Sequence, residues 1–411
     1  MKLLFICGAD VKDGVLSCAG WIKSLIAGLN KDIDISLFCA GKDGDEPDTV
    51  VTESGRDVGV FFYTISTMRD RFKNAADRSR PDAVVIFGTE AAYTRVSVDL
   101  CRETGLLDRT ALFAQGICCA CAQSYTLGLP PRIINRWTPR DILRRSNIKK
   151  EQKVLQSRSK DEEYAIAQIS HFIGRTSLDE AVLRMYNPSA GYYHCGDVLG
   201  DCFYDGEWRY EACRKHRIFI TQYYYPIKGF HYLLEAVAML KNKYPDLTIA
   251  ASGYNPIQTS VSRKEFKDSS YIRYIKELIL KYGLQDRVEL LGILSAEEMK
   301  QEYLESNVFV LPSTIENSPN SMAEAMMLGV PTVAADVGGV SDLADHRAEA
   351  YIYPSASPLL LAYYIDKIFS DPSGGEKLGA AGRIRAKREY DKEQNLLVFE
   401  NTVREIARKN R

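Results

Sequence analysis

The chain has 411 residues, with 53 Lys plus Arg against 54 Asp plus Glu, 45% hydrophobic residues and a net charge of −1. At about 100–200 residues per domain this predicts two or three globular domains, and the balanced charge excludes a globally basic nucleic-acid binder and a disordered acidic chain. No run of about 18 apolar residues is available to span a bilayer.

From the N-terminus, Leu3–Cys7 is too short for a signal-peptide core and reads as a first buried strand. Further short apolar runs predict strands at Lys2–Cys7, Asp34–Cys39, Asp57–Tyr63, Ala83–Gly88, Thr110–Ala114 and His171–Gly174, with helical periods between them. After a polar stretch, Cys195–Lys215, the alternation starts again. Strands are expected at Arg217–Thr221, Leu247–Ser252, Arg287–Gly292, Val308–Leu311 and Thr332–Ala335, and helices from near Gly229, Asp268, Ser295 and Ser321. The class is therefore α/β, with two Rossmann-like parallel-sheet domains. Residues 1–205 form the first domain and 206–389 the second; an amphipathic segment within 390–411 is expected to cross back onto the first.

The ten cysteines are scattered, and Cys118 and Cys121 lack the second ligand pair that a structural zinc needs, so they read as reduced thiols of a cytoplasmic protein. Asp43 and Asp45 form a D-x-D in a polar loop with no partner ligand and read as surface acids, so no metal is implied. Residues 132–160 hold ten basic and two acidic side chains, a local charge of +8, interleaved with Trp137, Ile142, Leu143 and Ile148. Such a segment suits an anionic membrane face or a solvated basic helix, and no nucleic-acid recognition module accompanies it.

The stretch Val308–Leu343 carries the chemistry. A strand ends at Pro312, a loop bears Glu316, and Pro319-Asn320-Ser321 opens a helix holding Glu324. Ligands of open α/β sheets sit at the carboxyl ends of strands, and a helix N-terminus offers free amides and a positive dipole end to a phosphate. Asn320 or Ser321 is expected to cap that helix. A carboxylate can accept hydrogen bonds from vicinal hydroxyls, so two glutamates there suit a ribose and a sugar. Upstream, Lys228 precedes a helix begun by Gly229, where an ammonium and helix amides can converge on a diphosphate.

Pro312-Ser313, Glu316, Glu324-Ala325-Met326, Gly329, Pro331 and Gly338-Gly339, with Lys228-Gly229 upstream, resemble the donor site of retaining glycosyltransferases of family 4, which have the GT-B fold. The resemblance covers about Arg217 to Leu343. It implies a nucleotide diphosphate sugar as donor, with Lys228 and Glu316 as catalytic residues. Gly229, Ser318, Pro319, Asn320, Ser321 and Glu324 would hold the donor, and Gly292 and Ile293 would stand beside the base. Gly14, Gly20, Gln115, Gly116 and Arg175 would face the acceptor across a cleft. A saccharide or lipid-linked acceptor is implied, in cell-surface polysaccharide or glycoconjugate synthesis. Two departures stand out: Tyr223 occupies the place of the family's diphosphate-binding Arg, with Arg175 as the candidate replacement, and Gln115 stands near where the family often has a histidine. They keep open a non-catalytic nucleotide-sugar-binding protein, and the shared two-domain fold and similar donors keep open a nucleotide-sugar epimerase.

Overall fold

A computed structural model describes residues 1–12, 15–18, 20–41, 48–52, 55–254 and 267–409. The chain divides into two compact units, one of Met1–Cys118, Ser157–Gly200 and Tyr390–Arg411, the other of Cys119–Gln156 and Asp201–Glu389.

The first unit is built on strands β1 (Lys2–Ile6), β2 (Ala9–Lys12), β3 (Val15–Cys18), β4 (Asp34–Ala40), β5 (Asp48–Val51), β6 (Asp57–Tyr63), β7 (Ala83–Phe87), β8 (Thr110–Phe113), β9 (His171–Gly174) and β10 (Gly191–His194). They lie in the order β10-β9-β8-β7-β1-β4-β6-β5-β3-β2. From β10 to β6 the pairing is parallel, and β7 and β8 are buried at every position because helices cover both faces. The chain leaves β1 on one side to form β4 and returns on the other side as β7, so the topological switch point lies between β1 and β7. Helix Lys392–Lys409 packs Leu396, Phe399, Val403 and Ile406 into this core, with the Phe399 ring 6.2 Å from that of Phe5. Gly28 permits that approach, since a Cβ there would stand 2.5 Å from Leu396 Cδ1.

The second unit has a six-stranded parallel sheet of β11 (Arg214–Thr221), β12 (Thr248–Ser252), β13 (Val288–Gly292), β14 (Ser306–Leu311), β15 (Thr332–Asp336) and β16 (Tyr351–Pro354), in the order β13-β12-β11-β14-β15-β16. Here the order reverses between β11 and β14. The loops after these two strands therefore open the ligand crevice, and they carry Lys228 and Glu316.

Five strands escape the sequence reading. β2 and β3 form a hairpin ahead of the first helix, β5 is a short antiparallel addition, and β10 and β16 are edge strands whose tyrosines, glycine and proline give no clean period. The expected division also differs at Cys119–Gln156, which packs with the second unit although it lies far upstream of 206. Polar anchors explain this. Asp141, 1% exposed, accepts hydrogen bonds from the amides of Thr138 and Ser270 at 3.2 and 3.1 Å and from the Ser270 hydroxyl. Arg136 reaches Glu277 at 2.7 Å, and Tyr232 donates to the Leu127 carbonyl at 3.0 Å. The polar stretch Cys195–Lys215 is anchored by buried side chains in both units. Cys195 and Val198 are buried in the first core, while Trp208 is buried in the second unit with its Nε1 donating to the Ser306 carbonyl at 2.7 Å.

Candidate active site

β14 ends at Leu311, and the loop that follows is fixed from both sides by glycines. Gly229 has φ +67°, and a Cβ on it would fall 1.9 Å from the Pro312 carbonyl oxygen; Gly338 has φ +57°, and its Cβ would fall 1.8 Å from the Glu316 carbonyl oxygen. Only glycine tolerates both the left-handed backbone and the contact. The Thr314 amide donates to the Ile227 carbonyl at 2.8 Å, tying this loop to the 3₁₀ turn Pro226–Lys228, and the Ser355 hydroxyl donates to the Ser313 carbonyl at 3.1 Å.

These constraints bring Lys228 and Glu316 together. Lys228 Nζ donates to Glu316 Oε1 at 2.6 Å, the Ser313 hydroxyl donates to the same oxygen at 2.7 Å, and the two charged side chains are 15% and 10% exposed. Eight residues beyond Glu316, Glu324 lies on the helix Asn320–Leu328. Its N-cap position is held by Pro319, not by Asn320 or Ser321 as expected, and no side chain among the described residues caps it. Proline fixes φ for the turn and leaves the first helix amides uncapped, while Asn320 Oδ1 is buried without a partner among the described residues.

Tyr303, from helix Ala296–Glu305, is the residue that the sequence did not reveal. Its buried hydroxyl lies 3.0 Å from Glu324 Oε2 and 2.9 Å from the Ser321 carbonyl oxygen, its one proton shared between the two, and so fixes the glutamate against its own helix. Burial pushes the Glu324 carboxyl up to about 8, and the Tyr303 hydrogen bond opposes that shift. Nothing within the motif spells out this tyrosine, since it arrives from the preceding helix.

The departures resolve differently. Tyr223 is 0% exposed and packs in the core with its ring 5.4 Å from that of Phe230, so it takes no part in a charged site. Arg175, the candidate second cation, is buried in the first unit, where its guanidinium is paired with Asp197, donates to the Ala114 carbonyl at 2.9 Å and lies over the Phe113 ring. At the end of β13, Gly292 has φ +78° and its carbonyl accepts from the Gly253 amide at 2.7 Å, leaving Ile293 78% exposed. The N-terminus of helix Phe230–Leu240 begins at Gly229 and is met by the buried Tyr271 hydroxyl, which lies against the amides of Phe230 and His231. Ser318 is half-buried in the same loop as Glu316. In the first unit, Gly20 opens helix Gly20–Gly28, and Gln115 and Gly116 follow β8 at half-buried positions. Gly14, Asp43 and Asp45 lie outside the described residues. Among the described residues no group of three or more His, Cys, Asp or Glu side chains is disposed to hold a metal ion.

Residues 214–385 match the family of glycosyl transferases group 1. A putative colanic acid biosynthesis glycosyltransferase, WcaL of Escherichia coli, is 27% identical over 176 residues, covering 41% of this chain and 40% of its own. In three of the curated relatives matched, the shared stretch spans 33–44% of their length. Among solved structures, sucrose-phosphate synthase from Thermosynechococcus elongatus superposes with a TM-score of 0.74 at 18% identity, covering 98% of both chains. Anabaena HepE in complex with UDP-glucose gives 0.67 at 14% identity, covering 98% of this chain and 99% of its own. The chain thus has the GT-B fold of two Rossmann-like parallel-sheet domains, and its segment 214–385 is similar to glycosyl transferases group 1.

Proposed function

We propose that this protein is a retaining glycosyltransferase that moves a sugar from a nucleoside diphosphate sugar to a hydroxyl of a saccharide or lipid-linked acceptor. Cell-surface polysaccharide or glycoconjugate synthesis is the proposed setting. The observation that carries the reading is the Lys228–Glu316 pair, 2.6 Å apart at the switch point of the second sheet and in the loop that leads to an uncapped helix N-terminus. The HepE complex with UDP-glucose and the colanic acid role in the name of WcaL support the donor and acceptor classes by similarity.

In this mechanism the bond between the anomeric carbon and the leaving phosphate oxygen breaks, and the acceptor oxygen bonds to that carbon on the same face. The acceptor's proton passes to the departing diphosphate, so no protein nucleophile is needed. Lys228 and the amides of helix Asn320–Leu328 stabilise the charge that develops on the phosphate, a role assigned to them and not to a metal. Glu316 holds Lys228 through Oε1 and leaves Oε2 for a hydroxyl of the donor sugar. Glu324, set by Tyr303, accepts the ribose hydroxyls. Release of nucleoside diphosphate from a panel of nucleotide sugars, with soluble and lipid-linked acceptors, tests the reading: release confined to one donor is expected, and no release from any would overturn it.

The basic segment belongs to the same proposal. Trp137, Ile142 and Leu143 are 44%, 63% and 84% exposed, beside Arg144, Arg145, Lys149 and Lys150, whereas Ile148 is buried. Exposed aliphatics ringed by cations suit an anionic lipid surface, where each cation contributes about 1 kcal/mol. No helix among the described residues is long and apolar enough to cross a membrane. Cosedimentation with anionic vesicles at low salt, lost at high salt, is expected; absence of binding at low salt would remove this part of the proposal.

A further inference from the structure

The first sheet has its own switch point, between β1 and β7, and an unassigned acid stands there. The loop Gly88-Thr89-Glu90 follows β7. Tyr93 fixes its place by donating to the Phe87 carbonyl at 2.6 Å, and the Gly8 amide, just past β1, reaches the same hydroxyl. The Glu90 carboxyl meets the amides of Glu90 and Gly116, while its Oε2 is buried with no hydrogen-bond partner among the described residues. Two glycines shape its seat: a Cβ on Gly88 would stand 3.1 Å from Glu90 Oε2, and one on Gly116 would stand 3.3 Å from Cδ.

A second acid stands close by. Glu162 is 1% exposed, and its Oε1 accepts from the Cys118 amide at 3.0 Å and from the Thr89 hydroxyl at 2.6 Å; that hydroxyl also lies 2.7 Å from the Gly116 carbonyl oxygen. These bonds hold the loops after β7 and β8 in register with each other, and with them the Glu90 carboxyl. Burial raises the Glu90 carboxyl above its ordinary range, as does Glu162, against the pull of the two amides and Arg175. Carboxylates placed this way repel a phosphate. They suit an uncharged ligand rich in hydroxyl donors, which gives a buried acceptor oxygen its missing partner.

We propose that Glu90 is an acceptor-binding residue, its Oε2 accepting a hydrogen bond from a hydroxyl of the saccharide acceptor, with Glu162 and Gly116 positioning it. The assignment rests on the glycosyl-transfer reading above and adds to it the residue that orients the acceptor. Glu90 forms no covalent bond and keeps no proton from the transfer.

The test compares the wild-type chain with Glu90→Gln, which keeps the shape and removes the charge, and with Gly116→Ala, which displaces the carboxyl by a few tenths of an ångström. Steady-state kinetics with a transferable acceptor and ligand-observed NMR of acceptor saccharides are read in parallel. A charge-assisted hydrogen bond contributes about 1.5–3 kcal/mol, so acceptor KM is expected to rise about 10- to 100-fold in Glu90→Gln, and less in Gly116→Ala, with donor KM within about twofold of wild type. The NMR signal of the bound saccharide should fall in step. An unchanged acceptor KM, or equal losses for donor and acceptor, would overturn the inference. Saccharide binding that depends on Glu90 in a protein that transfers no sugar would uphold it while removing the transfer reading.

Discussion

Each unit holds a cation–carboxylate pair beyond the ends of its strands, and the two pairs behave as opposites. In the first unit Arg175 and Asp197 have side chains 4% and 1% exposed, and the guanidinium is further bound by the Ala114 carbonyl. In the second, Lys228 and Glu316 are 15% and 10% exposed and sit at the point where the strand order reverses. The same two charges thus form a structural strut in one unit and, on our reading, a ligand site in the other. Position in the sheet and access to solvent separate them, not residue type.

The contrast can be broken first at the strut. Removing one partner of a buried pair leaves the other charge stranded, at a cost of about 3–5 kcal/mol. Arg175→Ala should therefore lower thermal stability sharply while the remaining folded fraction keeps its stabilisation by donor. A small change in melting temperature accompanied by lost donor response would make Arg175 the missing phosphate ligand after all. Lys228→Ala should do the reverse, lowering turnover about 10²- to 10³-fold with little change in melting temperature. Full turnover in that variant would remove Lys228 from the chemistry.

The loop that presents Glu316 sharpens the comparison further. Gly338→Ala combines a left-handed backbone with a contact of 1.8 Å to the Glu316 carbonyl oxygen, so a loss of about 2–4 kcal/mol is expected in chemical denaturation. Unchanged stability would mean that the loop is not clamped as described.

The smallest effect concerns protons at Glu324. Folding raises its carboxyl from the ordinary 4.5 to about 8, so between those values the folded chain binds the extra proton and this group's contribution to stability declines as pH rises. Glu324→Gln should therefore melt above wild type by a margin that widens from pH 5 to pH 8. Donor binding should run the other way, since ribose hydroxyls favour the ionised acceptor: wild-type affinity should strengthen from pH 6.5 to 8.5, and Glu324→Gln should bind weakly at every pH. A pH-independent wild-type affinity would separate Glu324 from the ribose.

The α/β class, eleven of the strands and the meeting of Lys228 with Glu316 were legible because their signals are local. Buried parallel strands are short apolar runs, and Lys228 and Glu316 stand in a turn and a loop whose glycines and prolines mark them. Tyr303, Glu90 and Glu162 gave no such signal. Tyr303 acts on a glutamate 21 positions away through its hydroxyl, and Glu90 depends on an amide, a helix and a neighbouring loop that meet only in the folded sheet.

By itself, then, the sequence determined the two-sheet architecture and the residues of one switch point, since hydrophobic period and turn chemistry act over a few residues. Tertiary structure decided which charges are spent inside and which remain open. It buried Tyr223 and Arg175 where a phosphate ligand was expected, brought Cys119–Gln156 into the second unit through Asp141, and left one oxygen of Glu90 without a partner among the described residues. Burial and hydrogen-bond satisfaction are properties of distant segments brought together, and no window of the chain contains them.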